Sequence, residues 1–120
     1  MKVALVCPAN ILFMPYVDNY KIVLEKANIN YEIINWDRAK IEDDHNPLIF
    51  RDKKTGMRRN FFDYHRYKKF IVKALKANNY DRIIIFGLQL SYYLRKELIK
   101  NYQGNYIIDI RDYNKILKFF

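Results

Sequence analysis

Residues 2–10, KVALVCPAN, decide the fold, because a continuous apolar run is followed at once by a proline and a polar loop. A strand that is apolar on both sides of its pleat is typical of a parallel sheet covered on both faces. Pro8 removes a donor from the ladder and ends the strand. Three further short runs follow at spacings long enough for crossover helices: Tyr31–Trp36, Arg82–Phe86 and Tyr106–Ile110. The sequence therefore predicts an α/β fold, a Rossmann-like open parallel sheet of four to five strands with flanking helices.

Apolar residues at helical spacing predict the segments that cover this sheet. One face runs from about Pro15 to Asn28, a stronger one from Phe61 to Asn78, and a third from about Ser91 to Asn101. The tail Tyr113–Phe120 has the start of a further helical pattern. In the second helix, we expect six residues to share the buried face: Phe62, Tyr67, Phe70, Ile71, Ala74 and Leu75.

The helical and strand patterns both fail over residues 39–60. An acidic cluster, Glu42 to Asp44, opens this segment, and a short hairpin with its turn at Lys54–Gly56 is one structure it could form. An irregular stretch of this length inside a compact domain is usually functional or mobile.

The composition indicates one folded domain, residues 1–120. Apolar residues make up 51% of the chain and aromatic residues 17%, which excludes disorder. Twenty-two basic and thirteen acidic side chains give a net charge of +9. Such a field favours anionic partners, namely nucleotide phosphates, nucleic acid or acidic lipid headgroups. A solvated lysine-rich surface without a ligand is the alternative interpretation.

Several classes of protein are disfavoured by residues that the chain lacks. The single Cys7 lies within the first strand, where a buried structural thiol is expected. His45 and His65 have no metal-ligand spacing around them, so no metal site is predicted. The first loop, Pro8–Asn10, contains no glycine, which argues against a nicotinamide or flavin cofactor. We expect no cofactor. With no signal peptide and no apolar run of about twenty residues, a cytoplasmic protein is expected.

Polar residues follow the strands where ligands of open parallel sheets bind, outside the carboxyl ends. The candidates are Asn10, Asp37, Arg38, Gly87, Gln89, Asp109 and Arg111. Several of them have a structural alternative: Asn10 could cap a turn, Gly87 could start a helix, and Arg111 could form an ion pair with Asp109 or Asp112. A basic and aromatic region around Phe61 is compatible with nucleic acid. Nucleic acid is an unlikely partner, because the helical pattern assigns several of those aromatic residues to the core.

Four segments together resemble a known family: Val3–Asn10 with Met14–Tyr16, Ile34–Arg38, Asn79–Ile85 with Gln89, and Gly104–Tyr113. In order and spacing they are similar to the amino-terminal domain of GT-B glycosyltransferases of the family 4 kind. The likeness is greatest to bacterial enzymes of capsular or exopolysaccharide assembly, and it spans nearly the whole chain.

The resemblance implies an acceptor-side domain that faces a carboxy-terminal donor-binding domain across a cleft. It implies a nucleotide-sugar donor and a glycan or lipid-linked acceptor, and it places five residues at the cleft: Asn10, Tyr16, Gln89, Asp109 and Arg111. The Glu-x7-Glu element of the second lobe has no counterpart here, so transfer by these 120 residues alone is not expected. The charge further suggests association with an anionic membrane surface. The alternative function is a non-enzymatic basic α/β module that binds an acidic partner.

Overall fold

The strands form one sheet in which every neighbouring pair is parallel. The computed structural model describes residues 1–55 and 58–110. Within them the strands are β1 (Lys2–Val6), β2 (Asn30–Trp36), β3 (Ile49–Phe50), β4 (Arg82–Phe86) and β5 (Tyr106–Asp109). Their order across the sheet is β3-β2-β1-β4-β5. The predicted α/β fold with an open parallel sheet is therefore confirmed.

Helices cover both faces of the sheet. The described residues form α1 (Val17–Lys26), α2 (Phe61–Asn78) and α3 (Leu88–Asn101). Successive strand residues point to opposite faces, so β1 contributes Val3 and Leu5 to one buried cluster and Ala4 and Val6 to the other. The first cluster packs against α1 and the second against α2 and α3. This burial on both faces explains why the first strand is apolar throughout.

The strand order reverses beside β1, and this positions the candidate site. β1 pairs with β2 on one side and with β4 on the other. The connection after β1 leads to α1 on one face, whereas the connection after β4 leads to α3 on the opposite face. The two connections diverge and leave a crevice at the carboxyl edge, where ligands of such sheets bind.

Helix α2 has the predicted bounds, Phe61–Asn78, and its sequence explains both ends. Asn60 and Asp63 form a capping box, in which each side chain accepts a hydrogen bond from the other residue's backbone N–H. Asn79 ends the helix in the left-handed conformation, with φ of 50°. The prediction that Phe62 lies on the buried face is wrong, since Phe62 is 66% exposed. The buried line runs through Asp63, Tyr67, Ile71 and Leu75, about 100° around the helix from Phe62.

Several predicted boundaries shift by one to three residues. Helix α1 begins at Val17 rather than near Pro15, and Asn28, at φ of 56°, lies two residues beyond its end. Helix α3 begins at Leu88 rather than Ser91, because Gly87 occupies the N-cap directly. Strand β5 ends at Asp109, one residue before the predicted end.

The hairpin expected within residues 39–60 is not formed by the described part of that segment. Ile49–Phe50 instead adds a parallel edge strand to the sheet, with Asn35 opposite Ile49 and Trp36 opposite Phe50. Leu48 and Ile49 are buried, so hydrophobic contacts hold this edge. The expected turn includes Gly56, which lies outside the described residues. Arg111, its predicted ion pair and the tail Tyr113–Phe120 also lie outside them.

Candidate functional site

An open groove of about 610 Å³ lies at the carboxyl edge of the sheet, where the strand order reverses. Connections after three strands contribute to it: Pro8 follows β1, Arg38 follows β2 and Gly87 follows β4. We call it the switch-point groove. The described residues that line it are Pro8, Arg38, Tyr64, Gly87, Leu88, Gln89, Leu90 and Tyr92.

Gly87 creates the sharp exit from β4 into α3. Its φ of 105° and ψ of 138° lie in a region that residues with a side chain rarely adopt. The Gly87 N–H donates to the Asp109 carbonyl at 2.9 Å, and the Gly87 carbonyl accepts from the Ser91 hydroxyl at 2.8 Å. Among the described residues no side chain caps α3, so its first-turn N–H groups border the groove as hydrogen-bond donors.

Aromatic rings and one guanidinium group form the opposite wall. Tyr64 stacks on Tyr93, with ring centroids 5.5 Å apart and planes 6° from parallel. The Arg38 guanidinium lies over the rings of Trp36 and Tyr64, at 5.1 Å and 5.7 Å, and Arg38 Nη1 donates to the Tyr64 hydroxyl at 3.4 Å. Stacking on two rings orients the cation before any ligand arrives.

Asn10 and Asp37 hold the loops after β1 and β2 together. Asn10 Nδ2 donates to Asp37 Oδ1 at 2.8 Å, and Asn10 Oδ1 accepts from the Ala39 N–H at 2.9 Å. Both side chains are buried, with Asn10 at 0% and Asp37 at 3% exposure. The arrangement orders the loop that carries Arg38 into the groove, so Asn10 and Asp37 position the site rather than line it.

Asp37 is ionised because its donors outweigh its burial. Burial favours the neutral carboxyl, but Asn10, the backbone N–H groups of Ile41 and Glu42, and Arg51 favour the charged form. Together they hold the pKa of Asp37 below its usual value.

The predicted site residues divide between two places. Gln89 is exposed in the switch-point groove. Tyr16 and Asp109 lie on the α1 side: Tyr16 packs on Phe86 at 5.7 Å, and Asp109 accepts a hydrogen bond from the Tyr20 hydroxyl. The structure therefore brings Asp109 next to Gly87 through the backbone but turns its carboxylate toward α1. Arg111 lies outside the described residues.

Sequence reasoning missed five residues that line the groove: Pro8, Tyr64, Leu88, Leu90 and Tyr92. Tyr64 and Tyr92 sit one turn into α2 and α3, and both helices run away from the carboxyl edge. For Tyr92, its place in the first turns of the helix that directly follows a predicted strand is the signal that could have indicated it; Tyr64 has no such signal, because α2 begins far along the chain from the end of β2.

Other features constrain the chemistry of the site. Burial raises the pKa of the Cys7 thiol well above its usual value, which disfavours a thiolate nucleophile. Over residues 1–55 and 58–110, no three His, Cys, Asp or Glu side chains cluster as metal ligands would. No helix in the same residues combines the length and apolarity needed to cross a membrane.

Comparison of the chain with models of protein families, with characterised proteins and with solved structures finds no match.

Proposed function

We propose that this chain is the acceptor-binding domain of a glycosyltransferase, which transfers sugar from a nucleotide-sugar to a glycan or lipid-linked acceptor in surface polysaccharide synthesis. The observation that carries the proposal is the switch-point groove, open and lined by tyrosine rings, an exposed amide and an oriented guanidinium. The order and spacing of the family-like segments support the same function.

The lining of the groove suits a sugar. The C–H face of a pyranose ring packs on an aromatic ring, which the exposed Tyr92 offers in the groove. The Gln89 amide and the Arg38 guanidinium supply donors and an acceptor for ring hydroxyls. A few polar groups set among apolar walls are typical of small-molecule sites.

In this proposal a carboxy-terminal domain binds the nucleotide-sugar, and this chain orients the acceptor hydroxyl toward it. The rate enhancement then comes from positioning and from charge stabilisation, not from a covalent intermediate on this chain. The first loop is consistent with binding of the nucleotide-sugar by the other domain, because Pro8–Asn10 lacks the glycines that let a backbone approach a pyrophosphate.

The two glutamines of the chain offer a matched test. Gln89 lines the groove, whereas Gln103 is exposed in the turn after α3. Saturation-transfer NMR of the full chain with a panel of bacterial oligosaccharides should detect binding. Gln89→Ala should weaken it about fivefold or more, as expected for loss of one or two hydrogen bonds, and Gln103→Ala should leave it unchanged. Equal effects of the two substitutions, or no glycan bound across the panel, would reject the proposal.

The second candidate function is a non-enzymatic basic module that binds an acidic partner. A shallow groove along α2 favours it, since apolar Val72 and Ala77 are flanked there by Lys68, Lys69, Lys73 and Lys76. This function predicts salt-sensitive association with a polyanion that contains no sugar, such as polyglutamate. Lys69→Gln with Lys73→Gln should weaken that association, whereas Gln89→Ala should not.

A further inference from the structure

A second groove, of about 580 Å³, adjoins the switch-point groove, and Arg38 lines both. Its other lining residues are Lys54, Arg58, Arg59 and Asn60. We call it the cation groove. Four of its five described lining residues are basic and the fifth is an amide, so the groove attracts anions to the extent that nearby carboxylates do not offset its charge.

Asp52 balances one side of the cation groove, but it is shared by two cations. The Arg59 side chain is fully buried and donates Nε to Asp52 Oδ2 at 2.7 Å and Nη2 to Asp52 Oδ1 at 3.2 Å. Lys40 Nζ contacts the same carboxylate at 2.9 Å. This cluster therefore carries a net charge of +1.

Asp63 balances the other side and is shared in the same way. Lys54 Nζ lies 2.6 Å from Asp63 Oδ2, and Arg66 Nη2 lies 2.8 Å from Asp63 Oδ1. Arg58 adds a further cation, so among the described residues the basic side chains of these two clusters together with Arg58 outnumber Asp52 and Asp63 by five to two. Positive charge therefore exceeds negative charge around the cation groove.

We propose that the cation groove is a binding site for a phosphate group. Guanidinium groups match phosphate oxygens in charge and in planar geometry, and a phosphate dianion would offset part of this positive charge. Arg38 is held in place by Trp36 and Tyr64. Arg58 is exposed, and its side chain makes no hydrogen bond or ion pair within residues 1–55 and 58–110, so it can turn toward a ligand.

The shared Arg38 joins the two grooves into one continuous surface. A phosphorylated sugar could place its ring in the switch-point groove and its phosphate in the cation groove. This extension rests on the proposed function, whereas phosphate binding by the cation groove does not. The same chemistry is offered by a free sugar phosphate or pyrophosphate and by the headgroup of a lipid phosphate.

The test is calorimetric titration of the full chain with inorganic pyrophosphate at low salt. Arg58→Gln and Arg38→Gln should each weaken binding about tenfold, since each removes a charge-assisted contact. Arg82→Gln is the matched control: Arg82 is also an exposed arginine, but it lies at the amino end of β4, and its loss should change the affinity less than twofold. Equal weakening by all three substitutions would mean a general charge effect and would overturn the site.

Vesicles distinguish the two sources of phosphate. If the phosphate belongs to a lipid, phosphatidylcholine vesicles with about one fifth phosphatidic acid should bind the wild-type protein but not the Arg58→Gln variant. If the protein binds pyrophosphate but not these vesicles, the ligand is a soluble phosphate. Absence of both pyrophosphate binding and retention overturns the proposal. Pyrophosphate binding in a protein that binds no glycan would leave this site standing and remove the proposed function alone.

Discussion

Asp37→Asn should lower the free energy of unfolding by about 2 kcal/mol, although it replaces the carboxylate with a group of the same shape. Two donors meet each oxygen of Asp37. Asn10 Nδ2 and the Ile41 N–H reach Oδ1 at 2.8 Å and 3.0 Å, and the Glu42 N–H and Arg51 Nη1 reach Oδ2, both at 3.3 Å. All four groups donate, so only an acceptor satisfies them.

An asparagine amide has one acceptor atom and one NH2 group, so either orientation sets the NH2 group against two donors. The less costly orientation keeps the oxygen toward Asn10 and Ile41. Arg51 is exposed and can turn to water, which leaves the Glu42 N–H contact as the main loss. A hydrogen bond to a charged group contributes about 1.5–3 kcal/mol, from which the figure of about 2 kcal/mol follows.

Trp36 makes the measurement direct, since it is the single tryptophan of the chain, fully buried and adjacent to Asp37. Urea unfolding followed by its fluorescence gives the free energy, and the thermal midpoint should fall by about 8 °C. The control is Asp43→Asn, because Asp43 is exposed and makes no hydrogen bond or ion pair with a described residue. If the free energy of unfolding of the Asp37→Asn variant lies within about 0.5 kcal/mol of the wild-type value, the reasoning is refuted. An equal loss of stability in Asp43→Asn would refute it as well.

Two further predictions concern charge and backbone. Burial opposes ionisation of Asp52, but hydrogen bonds from Arg59 and Lys40 lower its pKa to about 2 from 3.8. The lowered pKa contributes about 2 kcal/mol to the free energy of unfolding. This stabilisation is complete above the pKa of the unfolded state and is lost as pH falls from about 5 to 2. Asp52→Asn should therefore flatten the dependence of stability on pH in that range, and an unchanged slope would contradict the prediction. Gly87→Ala should cost about 2 kcal/mol because of its φ of 105°. An added Cβ meets Pro8 Cγ at an ordinary 3.9 Å, so a variant as stable as the wild type would show that the backbone strain is absent.

The fold was largely predictable because burial leaves a pattern in the sequence. Strand β1 is apolar on both faces since helices cover both, and α2 repeats its buried residues every four positions. Strand β3 was missed because two residues, Ile49 and Phe50, are too few to show a period. The start of α3 shifted because Gly87 sets the cap through its backbone conformation, which apolar spacing does not encode.

The candidate site was predictable only in location. The strand-exit rule indicated Gln89, Arg38, Asn10 and Asp37 together, but it could not tell which of them face a ligand. Asn10 and Asp37, 27 residues apart, pair with each other and are buried. Gln89 and Arg38 are left to line the groove.

By itself, then, the sequence determined the sheet, its helices and the edge at which polar residues gather, since these follow from local periodicity and the chirality of the crossovers. The tertiary structure alone decided the wall of Tyr64 and Tyr92 and the surplus of positive charge around Arg38 and Arg58. The reason is physical: which side chains meet depends on contacts between segments far apart in the chain, whereas the periodicity of one segment reports only which of its faces is buried.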